Sequence, residues 1–308
     1  MRFRRSCIAI LLIAMILFLG GCGGEDNNDE NGQQAEMPGE ILEMESGLLR
    51  IMQQADLVPI VFSEQVQPDN GAEEENEVNE EAEAEPNDED GDEDEEANGE
   101  SEAAVARMDE LTFEDTILWE VLDKETDGTD EEDMPESTEI IWNDIKETVL
   151  ELHNEWNGLE PLLVAGNITQ DVIDYFEEGL DNLTMFSTEQ DYFATMDTAN
   201  QLTAQLSEFM VPFSENVVSL TYGLKFHIRN LVLQAAKDDY ASAQKSLDNI
   251  KEQRPDLAKE LDEAEFRELE LSLDNLQRVL DKQNLDLIII NAAVVMENMV
   301  QVIERTAE

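Results

Sequence analysis

Residues 266–280 read FRELELSLDNLQRVL. Phe266, Leu269, Leu273, Leu276 and Leu280 recur at steps of three and four, the spacing that gathers apolar side chains on one face of an α-helix. The segment after it carries Ile288, Val295, Met299 and Val302 on one stripe and Ile289, Met296, Val300 and Ile303 beside it. Two adjoining stripes make a wide apolar face, which predicts a central, well-buried last helix.

The same period extends back through the chain. Arg254-Pro255-Asp256 predicts a turn, because proline lacks an N–H donor and restricts the residue before it. Ser214 is expected to start a helix bearing Val217, Leu220, Leu224, Ile228, Leu231 and Ala235, with Tyr240, Ala243, Leu247 and Ile250 continuing or following it. Ser187-x-x-Gln190 reads as a capping box for a helix with Phe193, Met196, Leu202, Leu206 and Phe209, closed at the Pro212 corner. Thr169 opens a further helix through Ile173, Phe176, Leu180 and Leu183. Ser137 or Thr138 starts one through Ile141, Ile145, Val149, Leu152 and Trp156, which Asn157-Gly158 is expected to stop. Thr112, with Asp115 at N3, is expected to cap a helix through Ile117, Leu118, Val121 and Leu122. Residues 105–308 therefore predict an all-α domain, built as an antiparallel helical bundle or as stacked helical hairpins.

Upstream, residues 38–66 predict an amphipathic helix through Ile41, Met44, Leu48, Ile51 and Ala55 that ends before Pro59. Leu57 to Phe62 is the one weak strand signal. Glu40, Glu43 and Glu45 against a single Arg50 argue against a membrane surface, since interfacial helices favour basic polar faces. Docking on the domain is the expectation. Residues 67–104 hold Glu and Asp with scattered Asn, Ala and Gly and no basic residue, which predicts a self-repelling, disordered acidic linker. Residues 22–37 are polar and read as a flexible spacer.

The N-terminus has a different logic. Arg2, Arg4 and Arg5 precede an apolar run from Cys7 to Phe18, too short for a membrane span of roughly 20 residues. Leu19-Gly20-Gly21-Cys22 follows, and this stretch resembles the lipobox of bacterial lipoprotein precursors, with Gly20 where Ala or Ser is commoner. The resemblance implies that residues 1–21 are a signal peptide removed on export and that Cys22 becomes a diacylated N-terminus. It also implies an extracytoplasmic protein held on the cell membrane. At about 0.8 kcal/mol per buried CH₂, two long acyl chains anchor a protein far more firmly than one.

The chain holds 75 acidic and 18 basic residues, a formal net charge of −57. Such a charge repels nucleic acid and anionic lipid headgroups, so nucleic-acid binding is excluded. Adaptation to high salt is the first reading, because at about 1 M salt the Debye length falls to roughly 3 Å and the self-repulsion is screened. A cation-collecting surface is the alternative. The two cysteines are Cys7, in the signal peptide, and Cys22, taken by the lipid. The mature chain is thus expected to lack disulfides and to rely on its core.

Candidate chemistry is sparse. His153 and His227 both fall in predicted helices and are the residues from which a bundle metal site would be built with nearby carboxylates such as Glu151 or Glu155. Neither has the Glu-x-x-His spacing that puts two ligands on one face, and the packing reading stands beside the metal one. Asp123-x-Glu125-x-Asp127-Gly128 resembles the opening of a calcium loop, yet position twelve is Met134 where a bidentate Glu is needed. No nucleophile elbow, phosphate-cradling glycine loop or His-Glu-x-x-His pair occurs. The expectation is a non-enzymatic, lipid-anchored interaction or scaffold module at the cell surface, with an unidentified envelope protein as partner. A lipoprotein that captures or hands on a divalent cation is the second reading, and an envelope enzyme the third.

Overall fold

The computed structural model describes residues 37–66, 116–126, 134–214 and 216–306, and every regular element among them is helical. In chain order they are α1 (Gly39–Val66), α2 (Trp119–Glu125), α3 (Thr138–Ala165), α4 (Gln170–Glu189), α5 (Tyr192–Met210), α6 (Asn216–Ala236), α7 (Tyr240–Glu252), α8 (Arg254–Glu260), α9 (Glu263–Leu280) and α10 (Leu285–Thr306). The fold is all-α. The expected signal peptide, lipobox, spacer and acidic linker, with Thr112 and Asp115, lie outside the described residues.

Two rings of four helices make up the architecture. In the first, α1 packs on α3, α3 on α4, α4 on α5, and α5 back on α1. In the second, α6 packs on α7, α7 on α9, α9 on α10, and α10 back on α6. The α5–α6 contact joins them, and the short α2 lies against both α10 and α1. Short turns make successive helices fold back on their predecessors. Four of those turns use a non-glycine residue in the left-handed region: Asn167, Gln190, Asp238 and Gln283. At three of them the next N–H reaches back five residues, Ile168 to Leu163, Asp191 to Phe186 and Asp239 to Gln234, so carbonyls orphaned at the helix ends find donors.

Helix α1 is a core element of the first ring. Its Ile41, Met44, Leu48, Ile51, Met52 and Ala55 are fully buried, and each large apolar side chain so removed from water contributes about 1.5–3 kcal/mol. Gly47 lets it approach α3, since a Cβ there would stand 2.9 Å from Leu152 Cδ2. Two expected stops do not act as stops. Helix α1 runs through Pro59, so Leu57 to Phe62 is helix and not strand, and α3 runs through Asn157, Gly158 and Pro161 to Ala165. Both prolines are exposed. Each loses one i→i−4 backbone bond, but the ring itself faces away from the core, so the apolar face of its helix stays packed.

Caps account for the other differences. Ser137 caps α3, accepting from Ile140 N at 3.4 Å. Ser187 is not a cap: it lies inside α4, and its hydroxyl donates to the Thr184 carbonyl. Asp191 starts α5 instead, accepting from Ala194 N at 3.0 Å. Ser214 donates to the Met210 carbonyl, and α6 begins at Asn216. Arg254-Pro255-Asp256 opens the short α8, where proline in the first turn forgoes no helical bond. The 266–280 run lies in α9 behind a full capping box of Asp262 and Glu265. Leu285–Ile303 is long and apolar enough by composition to cross a membrane. Here Ile288, Ala292, Val295, Met296 and Met299 are buried within the second ring.

Candidate functional site

Helix α6 is unusual in so acidic a chain: it contains no Asp or Glu, and its charges are Lys225 and Arg229, four residues apart. That spacing puts both on one helical face, and both are buried. Lys225 Nζ lies 3.0 Å from Glu45 on α1 and 3.0 Å from Glu125 at the end of α2. Arg229 Nη1 donates to both oxygens of Glu125. Its Nε donates to Asn200 Oδ1 at 2.8 Å and its Nη2 to Thr203 Oγ1 at 2.7 Å, both on α5. Lys225 also stands 3.9 Å from the centre of the Tyr222 ring.

Two cations and two carboxylates thus form a neutral cluster where α1, α2, α5 and α6 meet. Burial by itself would raise Glu125, but attraction to Arg229 and Lys225 outweighs it and holds this carboxyl below its usual range. Glu45 behaves oppositely: burial raises its pKa more than Lys225 lowers it, and Glu125 adds repulsion. For Lys225, burial opposes the charge, yet Glu125 and Glu45 together raise its pKa. The arrangement fixes α1, α5 and α6 around α2 and leaves none of its four charges unpaired, which is the condition for tolerating such a cluster.

The other end of α2 is held by Asp56 on α1. Its carboxylate accepts from the N–H groups of Ile117, Leu118 and Trp119 at 2.9, 2.6 and 3.1 Å. It therefore does the N-terminal work expected of a local cap. Burial nonetheless pushes its pKa up to about 6, against the lowering effect of the three donors.

The predicted site residues are not brought together. His153 Nε2 pairs with Thr184 Oγ1 at 2.9 Å between α3 and α4. His227, on α6, lies against Phe226 with its Nδ1 buried and without a partner, and burial lowers its pKa. Among the described residues no group of three His, Cys, Asp or Glu side chains is placed to hold a metal ion. Glu125 does not face a calcium loop, because the two buried cations draw its side chain inward. Asp123 stands beside Lys124 at 3.6 Å, and Asp127, like Leu19, Gly20, Gly21 and Cys22, is outside the described residues. Trp142, Trp156 and Phe176 are core aromatics, with Trp156 stacked on Phe176 at 4.6 Å. Phe193 is partly buried against the core beside Tyr192.

A cleft of about 360 Å³ lies between α4 and α5. The two helices touch closely at one wall, where a Cβ on Gly179 would stand 2.6 Å from Leu202 Cδ2. Beside that contact, Tyr175, Glu178 and Asn182 of α4 face Asp197, Gln201 and Gln205 of α5 across the opening.

Reading the sequence missed Glu45, Asp56, Lys225, Arg229 and this cleft. The available signal was α6 itself, twenty-one residues with two basic and no acidic side chains in a chain of net charge −57. Comparison with known proteins adds no relative, since the chain matches no protein-family model, no curated protein and no solved structure.

Proposed function

We propose that this chain is a lipid-anchored, extracytoplasmic helical lipoprotein that works as a non-catalytic interaction module at the cell surface. The observation that carries the reading is the order of parts in the sequence: basic residues, a short apolar run and Leu19-Gly20-Gly21-Cys22, then a polar spacer and a helical body. The charge-paired cluster around α2 supports it, because it favours a body of one defined shape, as a presenting surface requires. A divalent cation stays a second reading only through the acidity of the chain.

The test is labelling of producing cells with an alkyne-tagged fatty acid, followed by mass spectrometry of the N-terminal peptide. A diacylglyceryl group on Cys22, absent in Cys22→Ser, is the expected result, together with cleavage of the body by protease added to intact cells. An unmodified thiol, or a full-length chain in the cytosol, refutes the anchoring. Crosslinking in intact cells that repeatedly recovers no envelope partner refutes the interaction role.

A further inference from the structure

One end of the first ring is unlike the rest of so acidic a body. Gly47 packs against Thr148 and Leu152, and Glu40 lies beside Gly158, so α1 and α3 run antiparallel and α1 begins level with the last turns of α3. Phe213, in the corner after α5, reaches Gly166 at the end of α3, where a Cβ would stand 3.3 Å from its Cζ. Two stretches therefore meet at this end, 161–170 and 209–214, and neither contains Asp, Glu, Lys or Arg, although 30% of the chain's residues are charged. Their apolar side chains are not all covered. Leu162 is 42%, Val164 53% and Val211 61% exposed, and Ile168 and Phe213 are half-buried.

The tether enters at this same end. Residues 23–37 separate Cys22 from the start of α1, and a coil of that length spans about 20 Å root-mean-square. A lipid on Cys22 therefore holds the beginning of α1, and the uncharged end beside it, close to the bilayer. Which surface of the body then meets the lipid is decided by its chemistry. Acidic faces of a chain with net charge −57 are repelled by anionic headgroups. The uncharged end gives up no hydrated charge on contact and offers apolar side chains to the headgroup–acyl boundary. The stripe Leu287, Ile290 and Val294 on α10 is also exposed and apolar, but it starts beside the α6–α7 turn, where Tyr240 Oη donates to the Gln283 carbonyl. That turn lies the whole length of α6, about 30 Å, from the corner at 211–214. We infer that the end formed by 161–170 and 209–214 rests on the lipid surface, with Leu162, Val164 and Val211 in the headgroup–acyl boundary. The inference rests on the anchoring at Cys22 and adds to it the face that the body turns to the membrane.

The experiment places the native lipidated chain in phosphatidylcholine vesicles that carry a nitroxide high on the acyl chain. Val164→Cys, Val211→Cys, Leu150→Cys and Ile290→Cys are made singly, and with Cys22 acylated each supplies the one free thiol for an NBD fluorophore. All four positions are exposed, so packing is kept. Flotation of the vesicles in a density gradient reports anchoring separately. NBD at Val164→Cys and Val211→Cys should be quenched at least threefold more than at Leu150→Cys and Ile290→Cys. Adding Leu162→Glu should lower the quenching at Val211→Cys at least twofold without changing flotation. Protein that does not float refutes the anchoring and the inference with it. Protein that floats with equal quenching at all four positions overturns the inference and leaves the anchor standing. Val211→Cys chains that are unquenched and are joined in pairs by a short bis-maleimide would assign this end to a second copy of the chain, and likewise overturn it.

Discussion

Replacing Arg229 with Met tests whether the buried cluster is a fold determinant. Met matches much of the aliphatic stem but removes four hydrogen bonds: two to Glu125, one to Asn200 Oδ1 and one to Thr203 Oγ1. Thr203 keeps its bond to the Asn200 carbonyl, so its loss is small. Asn200 Oδ1 is stranded, at about 1–3 kcal/mol. Two carboxylates are then left to share Lys225, and breaking a buried pair from one side costs about 3–5 kcal/mol. We expect a loss of about 4–5 kcal/mol near neutral pH, a large share of the roughly 5–15 kcal/mol that stabilises a typical domain. With an m-value of about 3 kcal/mol/M, the urea midpoint falls by more than 1 M. The double variant Arg229→Met/Glu125→Met leaves Lys225 with Glu45 and should be less destabilised than the two single changes summed, by about 2 kcal/mol or more. Urea unfolding followed by circular dichroism at constant high salt reads all four species. A single-variant loss under 1 kcal/mol, or strict additivity, would refute the assignment of α2 and α6 as partners through this ion pair.

Two further outcomes follow from α2's other end and from the hairpin turns. Asp56 has its pKa raised by burial to about 6 from 3.8, so the folded state binds its proton first; its contribution to stability is full below 3.8 and is lost as pH rises through about 6. That difference amounts to about 3 kcal/mol, and urea midpoints from pH 7.5 down to 4 should show it in the native chain and not in Asp56→Asn; parallel pH profiles would contradict it. Gln190 holds φ 61° at the end of α4, where a side chain is strained and glycine is not, so Gln190→Gly should stabilise by about 1 kcal/mol in thermal or urea unfolding. A loss instead would show that the Gln190 side chain, and not its backbone, holds the turn.

Where the sequence was legible, the relevant forces act within one turn or one face. The stripes through Leu269, Leu273 and Leu276, or through Ile173, Phe176 and Leu180, name buried residues correctly because burial repeats with the helical period. Stops were less legible. Pro59 and Asn157-Gly158 carry a local signal to end a helix, but packing of the opposite face overrides it when those residues face water. Caps fail for a related reason: Ser187 and Ser214 resemble starts, yet a serine hydroxyl serves equally well by bonding back to a carbonyl three or four residues earlier.

By itself, then, the sequence determined that this is an all-helical body, which residues line its core, and that Leu19-Gly20-Gly21-Cys22 stands ahead of it. Only the tertiary structure decided that Glu45 and Glu125 are buried charges and not two more surface acids. Their cations arrive from 180 and 104 residues away. An acidic side chain carries no local mark of the partner it will meet, because the favourable term that offsets its burial is supplied by another helix. The same holds for the α4–α5 cleft, whose two walls come from different helices.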